Sequence, residues 1–555
     1  MKFNYLSIAF ASVLLSATAN AQQKNTVLSK DWYQKDLAKD TFYGISLDQA
    51  YDFLKGKKST STIVAVIDGG IDTTHEDLKN IVWKNPKEIP SNGKDDDGNG
   101  YIDDIYGWNF LGNADGKNVN KEAEEKYRVY YKFKDKYSNP NIDTTKMSFW
   151  DKYDYKTWKR AQQEIEDPVK SSQDKQMANF LSMTYHALLK ADTILVKSLR
   201  KNEYTIADLE NYKATAGDQS NYAKMTMMQI VQVANFAPTT TNTEILKDLK
   251  SESEKYATAD DARNNAPETY RANIVHDNYS DFKDNHYGNG DVHAQDPMHG
   301  SHVSGIIAAQ RDNNIGMNGI ADNVKILSVR AVPDGDEYDK DIALAIRYAV
   351  DNGAKVINMS FGKAYSPEKY WVDSAFEYAA QHDVLLIHAA GNESENIDSL
   401  PNYPNGDLLA YGGIQAPNLI TVGASGDPRI GDTHLAANFS NYGKKTVDVF
   451  APGERIYSTV PETNKYAYLD GTSMASPVVT GLAALIRSYF PKLSAEQVKY
   501  VIEHSVEIPK NDSTVLPGTS DQIVPFSSLS KSGGIVNAYN AVKLASTLKP
   551  EKRKK

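Results

Sequence analysis

Along this chain, short runs of β-branched and apolar residues alternate with stretches whose apolar positions recur at helical spacing. Strand-like runs fall at 62–67, 324–332, 355–361, 384–389, 419–422 and 447–450. Between them lie a helical stretch over 340–352 that Gly353 stops, and a second expected to start at a Ser366 cap with Pro367 in its first turn. Further on, Ser494 and Gln497 make a capping box. Such alternation predicts an α/β fold, a mostly parallel sheet with helices on both faces. The region 112–285 has another texture. It is rich in Lys, Tyr and Asp, and it carries helical stripes at Leu181, Tyr185, Leu188, Leu195 and Leu199 and again across 225–236. A mainly helical insertion with its own core is expected there.

Composition narrows the class. With 555 residues, 40% of them hydrophobic and 24% charged, the chain can bury a large core. Cysteine is absent, which excludes a disulfide framework and a thiolate metal site. A formal net charge of −10 argues against a nucleic-acid partner. Met1-Lys2, an apolar run over 5–15 and Ala19-Asn20-Ala21 read as a signal peptide cleaved before Gln22. Export to a bacterial periplasm or beyond follows as an expectation. The apolar run is too short for a stable span, and no cysteine follows the cleavage site, so no membrane anchor is expected.

Three short segments carry groups suited to nucleophilic catalysis. The run 62–67 ends at Asp68, and Gly69-Gly70 break it there. That puts a carboxylate at the C-terminal end of a buried strand, where open α/β sheets place their sites. His299 opens an apolar, small-residue helix start, Met298-His299-Gly300-Ser301-His302. Ser473 stands in Gly471-Thr472-Ser473-Met474-Ala475-Ser476-Pro477 ahead of an apolar run. Its hydroxyl and backbone N–H therefore sit at the positive end of a helix. A serine hydroxyl needs a neighbouring base, and that base needs a third group to hold its tautomer; His299 and Asp68 fit those two roles.

With these boxes in the order Asp, His, Ser, the chain resembles the subtilisin-like serine peptidases, the subtilases. The likeness runs from about residue 32 to 545 with the insertion left out, and it includes Ala389-Ala390-Gly391-Asn392-Glu393. It implies that Asp68 orients His299, that His299 is general base and acid, and that Ser473 attacks. By the same match Asn392 donates to the oxyanion, and Asp72 and His302 are structural. Substrate is expected to lie extended along Ser360-Phe361-Gly362 and beside Asp334-Gly335. Glu393, with Asp334, Asp336 and Glu337, is expected to favour basic side chains in the substrate.

Asp95-Asp96-Asp97-Gly98-Asn99-Gly100-Tyr101 reads as the first half of an EF-hand-like calcium loop. The twelfth position is Tyr106 rather than Glu, so Asp103 or Asp104 is expected to close a shell begun by Asp95, Asp97, Asn99 and the Tyr101 carbonyl. Asp77 is a weaker calcium candidate, on the resemblance alone. His186, on an ordinary helix of the insertion, is not read as a ligand.

The resulting division is a signal peptide at 1–21, the start of the catalytic domain at 22–111, the insertion at 112–285, the remainder of the catalytic domain at 286–545 and a basic tail at 546–555. The few dozen residues between Ala21 and Asp68 read as a lead-in to the first strand rather than a cleavable folding domain. The insertion is a candidate lid, exosite or inhibitor, and the sequence does not choose among these. The function expected is an exported, monomeric serine endopeptidase acting on proteins or peptides, with calcium as a structural cofactor. The alternative is a catalytically silent, calcium-stabilised binding protein.

Overall fold

The computed structural model describes residues 29–551 apart from 216, 235, 237, 239, 431–433 and 463. The expected signal peptide and the last four residues of the basic tail lie outside the described residues. The chain divides into two compact units. One comprises 24–125 and 268–555, and the other is 126–267. The helical unit is thus narrower at both ends than 112–285.

In the larger unit, seven strands form one sheet: β1 (Thr62–Asp68), β2 (Gly107–Asn109), β3 (Val324–Arg330), β4 (Val356–Met359), β5 (Leu385–Ala389), β6 (Leu419–Ser425) and β7 (Val449–Pro452). Their order is β2-β3-β1-β4-β5-β6-β7, and every neighbouring pair is parallel. The side chains of β1 explain why its sequence is a continuous apolar run. Val64 and Val66 face one core with α1 (Met298–Ala308) and α4 (Thr472–Tyr489), through Val303, Ile306, Val478 and Leu482. Ala65 and Ile67 face the other, with α2 (Asp339–Asp351) and α3 (Lys369–Gln381), through Ile342, Ile346 and Phe376. A strand covered on both sides has no polar face to show, and each buried Val or Ile contributes about 1.5–3 kcal/mol.

Three local expectations differ from what is found. Ser366 does not cap α3. Its hydroxyl donates to Asp339 Oδ1 (2.9 Å), while Asp339 Oδ2 takes the N–H of Glu368 (2.8 Å), which is the N-cap residue and makes no side-chain cap bond. The strand-like run 355–361 is strand only over Val356–Met359, and 360–361 leave the sheet to line a slot. β2 was not expected as a strand at all. The Ser494–Gln497 capping box is formed, with both reciprocal bonds at 3.1 Å.

The helical unit is built from Phe149–Ile165, Pro168–Leu199, Gln219–Ala234 and Asn242–Ala262 with shorter pieces between. Leu181, Leu188 and Leu195 of the long helix are buried against Met227, Val231, Ile245 and Leu249. The heptad-spaced stripe seen in the sequence is therefore this unit's own core. Pro168 opens the long helix, and Asp167 accepts the Val169 N–H at 2.8 Å, a Pro-first start with an acidic cap.

Candidate active site

β1 ends at Asp68, whose carboxylate is 3% exposed. The chain then turns, and Gly69 N–H donates to Asp68 Oδ1 at 2.7 Å. α1 starts directly above. Gly300 packs so closely that a Cβ there would lie 2.2 Å from Gly70 O, so only glycine lets the first turn approach the strand end. That approach brings His299 Nδ1 to 2.8 and 2.9 Å from the two Asp68 oxygens. Burial pushes the imidazole pKa down, but the Asp68 charge and hydrogen bond outweigh it, and the net direction is up. The His299 side chain is nevertheless 43% exposed.

Ser473 lies in the first turn of α4, after Gly471, whose φ of +151° suits glycine. Its Oγ donates to Ser360 O at 3.1 Å. Among the described residues, no hydrogen bond joins it to His299. Asn392, in the loop after β5, is turned by Thr472: Oδ1 accepts the Thr472 N–H at 2.8 Å and the Thr472 hydroxyl at 3.0 Å. An amide held by its oxygen presents its NH2 as the donating end. Ser473 N–H, in the first helical turn, has no intrahelical acceptor.

The two other acid and base positions tie elements together. Asp72 accepts from Thr74 through Oδ1 and from Glu462 N–H through Oδ2 (3.0 Å). His302 Nε2 donates to Ala467 O (3.1 Å), and burial drives its pKa to about 3, so it stays neutral and pins α1 to the hairpin Ile456–Thr459 and Tyr466–Leu469.

β1 stops while its neighbours continue, β3 into 331–336 and β4 into 360–362. A slot one strand wide opens between them, roughly 10 Å across by ordinary strand spacing. Asp334 gives its N–H to Asn120 O and takes the Glu122 N–H, both at 2.8 Å, so its outer edge is paired. Gly335 follows with a φ of +114°, so the chain leaves the extended conformation there. Opposite, Phe361 O accepts from His388 Nε2 (2.8 Å), which leaves Ser360 and Gly362 facing inward. Three of the four acidic residues expected to meet substrate have other surroundings, while the Asp334 side chain is exposed. Asp336 Oδ2 accepts the Glu125 N–H (2.6 Å), Glu337 is buried with its pKa pushed up to about 8 by desolvation, and Glu393 Oε2 accepts from Asn441 Nδ2 (2.6 Å).

A model of the subtilase family matches residues 59–532. The chain belongs to the subtilase family. Similar proteins include a thermophilic serine proteinase of Bacillus sp. strain AK1, 38% identical over 47% of this chain and 55% of its own length. A cell wall-associated protease of Bacillus subtilis strain 168 is 34% identical over 41% of this chain and 23% of its own. Thermitase of Thermoactinomyces vulgaris is 37% identical over 44% of this chain and 74% of its own. This subtilase thus spans about half or less of the first two relatives' lengths.

Several residues that shape the subtilase site were not foreseen. Asn358 of β4 is fully buried; its Oδ1 accepts from Ser476 and Thr480, and its Nδ2 donates to Ser360 Oγ (3.0 Å). A lone asparagine inside an apolar strand was the available signal. Arg330, the last residue of β3, is 3% exposed, and burial pulls its pKa to about 10. It bonds Gly69 O (2.9 Å), Asn109 Oδ1 (3.0 Å) and Val119 O (2.6 Å), which secures both the Asp68 turn and the segment paired to Asp334. Asn402 donates to Ala390 O at 2.8 Å and fills the space between Gly362 and Gly391.

The calcium-type loop is assembled differently from its expected order. Glu88, Asp95 and Asp97 bring carboxylate oxygens within 4.8 Å of one another. Asp103 turns away, its oxygens taken by Asn92 and Gly93 N–H. Asp104 is engaged by Asn85, Asn99 and Tyr348. Asn99 Oδ1 takes the Tyr101 N–H (2.8 Å), and the Tyr101 ring packs on Trp108, Phe110 and Tyr348. Asp77 accepts from Asn313, Met317 N–H and Tyr466.

Proposed function

We propose that this subtilase is a serine endopeptidase with Ser473 as nucleophile, His299 as general base and acid, and Asp68 as the group that holds His299. The observation that carries the reading is the Asp68–His299 pair. A carboxylate bonded at Nδ1 fixes the tautomer with Nε2 lone-paired, and it stabilises the imidazolium that forms when Nε2 takes a proton. When the Ser473 hydroxyl rotates from Ser360 O toward His299 Nε2, its proton moves to the ring and Oγ bonds the scissile carbonyl carbon. The carbonyl π pair moves to oxygen, where Asn392 Nδ2–H and Ser473 N–H receive the negative charge. Collapse breaks the C–N bond, and His299 returns its proton to the departing amine, leaving an acyl-enzyme that water hydrolyses by the same route.

Main-chain pairing to Gly335, Ser360 and Gly362 explains how an extended peptide of varied sequence is held. Calcium fits the loop at Glu88, Asp95 and Asp97 because all donors are hard oxygens, and Glu88 Oε2 is buried there without a partner. Bound calcium supplies structural charge compensation. The N-terminal signal pattern supports export, and among the described residues no helix is long and apolar enough to cross a membrane.

Labelling the purified protein with a fluorophosphonate, beside Ser473→Ala, tests the reading. Modification of Ser473 alone is expected. Absence of labelling in folded, calcium-loaded protein favours the silent binding protein instead.

A further inference from the structure

Beyond the slot's inward-facing edge lies a lysine that takes no part in the chemistry above. Lys363 follows Gly362, and its backbone leaves the slot to pair with Tyr403, N–H to O at 2.9 Å and O from N–H at 2.8 Å. Its side chain, 2% exposed, runs back across the gap. The ammonium donates to Glu337 O on the opposite rim (2.7 Å) and to Glu125 Oε2 (2.7 Å), and it lies 2.9 Å from Asp339 Oδ1. Glu125 in turn gives its N–H to Asp336, also on the opposite rim. One buried cation thus joins both rims.

The position is specific. Lys363 stands three residues along the strand from Ser360, about 10 Å at strand rise, and Ser360 O is the partner of the Ser473 hydroxyl. The leaving amine departs past His299, on the β1 side, so the acyl side of a peptide lies along the rims toward Lys363. A peptide reaching three residues upstream of the scissile bond needs the rims at strand spacing where this tether crosses. A substrate with one acyl residue does not reach it.

We propose that Lys363 is a positioning residue for peptide substrates, holding the two rims of the slot at pairing distance three residues upstream of the scissile bond. A buried lysine with two carboxylates is an expensive way to gain stability but a directional way to fix geometry. A second set of buried ion pairs lies at the segment that returns from the helical unit: Arg271 N–H donates to Glu122 (2.5 Å), and its guanidinium pairs with Asp341 (2.7 Å) and Asp277, which also takes Lys340 (2.6 Å). The proposal rests on the peptidase reading for the direction of the substrate.

The test uses the full chain and a series of acyl-peptide p-nitroanilides of one to four residues, with Lys363→Met and Lys363→Arg. Lys363→Met is expected to raise KM at least tenfold for three- and four-residue substrates, with kcat and the one-residue KM unchanged within twofold. Lys363→Arg is expected to bring the long-substrate KM back to within threefold. Equal losses at every length, or no change at any, overturn the proposal. Should Lys363→Met fail to fold, Glu125→Gln is expected to give the same length dependence at about threefold, and a flat profile overturns it equally. Calorimetric binding of the same peptides to Ser473→Ala, with and without the Lys363 change, keeps the two readings apart. A wild type that is not labelled but binds long peptides in a Lys363-dependent way overturns only the peptidase reading.

Discussion

Ser360 and Ser473 exchange hydrogen bonds: Ser473 Oγ donates to Ser360 O (3.1 Å) and Ser360 Oγ donates to Ser473 O (2.9 Å). The second bond exists because Pro477, four residues on inside α4, has no N–H to give the Ser473 carbonyl. The proposed nucleophile is therefore oriented from the end of β4 as well as by its own helix. Ser360→Ala is expected to lower stability by about 1–2 kcal/mol, the usual cost of a buried acceptor left unpaired. Pro477→Ala returns an N–H to the Ser473 carbonyl, so the Ser360→Ala cost should shrink by at least about 0.5 kcal/mol in that background. Urea unfolding of the four proteins measures this coupling, and strictly additive effects would contradict the account.

The acid limb of activity should lie above the ordinary histidine value of about 6.5, because Asp68 holds the His299 pKa up. Asp68→Asn removes the raising influence and leaves burial, so the limb should move below 6.5, with kcat down roughly 10⁴-fold. His302, at about 3, does not titrate in this range. The sign for stability is the reverse of that for activity. A folded pKa above the unfolded one gives a contribution fully present below the unfolded pKa and lost as pH rises through the folded value. Profiles of kcat/KM and of thermal midpoint against pH check both. An acid limb that Asp68→Asn leaves in place would refute the first.

Much of this was legible in the sequence, for physical reasons that also mark where legibility ends. Asp68, His299, Ser473 and Asn392 each stand where a strand ends or a helix begins, and Gly70, Gly300, Gly391 and Gly471 beside them are local signals. The sheet could be read because strands buried on both faces are unbroken apolar runs. Glu88, placed in the proposed calcium site, has no local signal, because an EF-hand-like spacing directs attention downstream of Asp95 while this carboxylate comes from seven residues upstream. Ser366 reads as a cap locally, but its hydroxyl is bonded to Asp339, which is remote in sequence, and the helix starts after Glu368. Lys363, Asn358 and Arg330 act through partners on other strands, and no local pattern reports those.

Calcium should stabilise the folded chain through Glu88, Asp95 and Asp97. At 100 times its Kd a ligand specific to the folded state adds about 2.7 kcal/mol, so EDTA should lower the thermal midpoint by several degrees. Glu88→Gln keeps a neutral acceptor but removes the charge buried at the site. It should weaken calcium binding at least tenfold, while Asp103→Asn should leave it within threefold, since Asp103 serves the Asn92–Gly93 turn. Isothermal titration separates the two. Equal losses would return Asp103 to the ligand set.

Thr472 holds the Asn392 amide by its oxygen, and for the oxyanion role proposed for Asn392 two variants divide holding from donating. Asn392→Ala removes a donor to the oxyanion and should lower kcat by about 10²–10³-fold with KM little changed, the loss typical of such a donor in subtilisin itself. Thr472→Val keeps the Asn392 amide but deletes the hydroxyl that bonds Oδ1 (3.0 Å) and accepts the Gly391 N–H (3.1 Å). The Thr472 N–H remains on Oδ1 at 2.8 Å, so the amide is loosened rather than released. The expected loss in kcat is about fivefold, since one neutral hydrogen bond is worth about 1 kcal/mol and each 1.4 kcal/mol is a factor of ten. In the Asn392→Ala background the Thr472 change should cost almost nothing further, because the group it orients is gone. Steady-state kinetics on one extended substrate measures all four proteins. A Thr472→Val loss that persists undiminished in the double variant would mean that Thr472 acts on Ser473 directly rather than through Asn392.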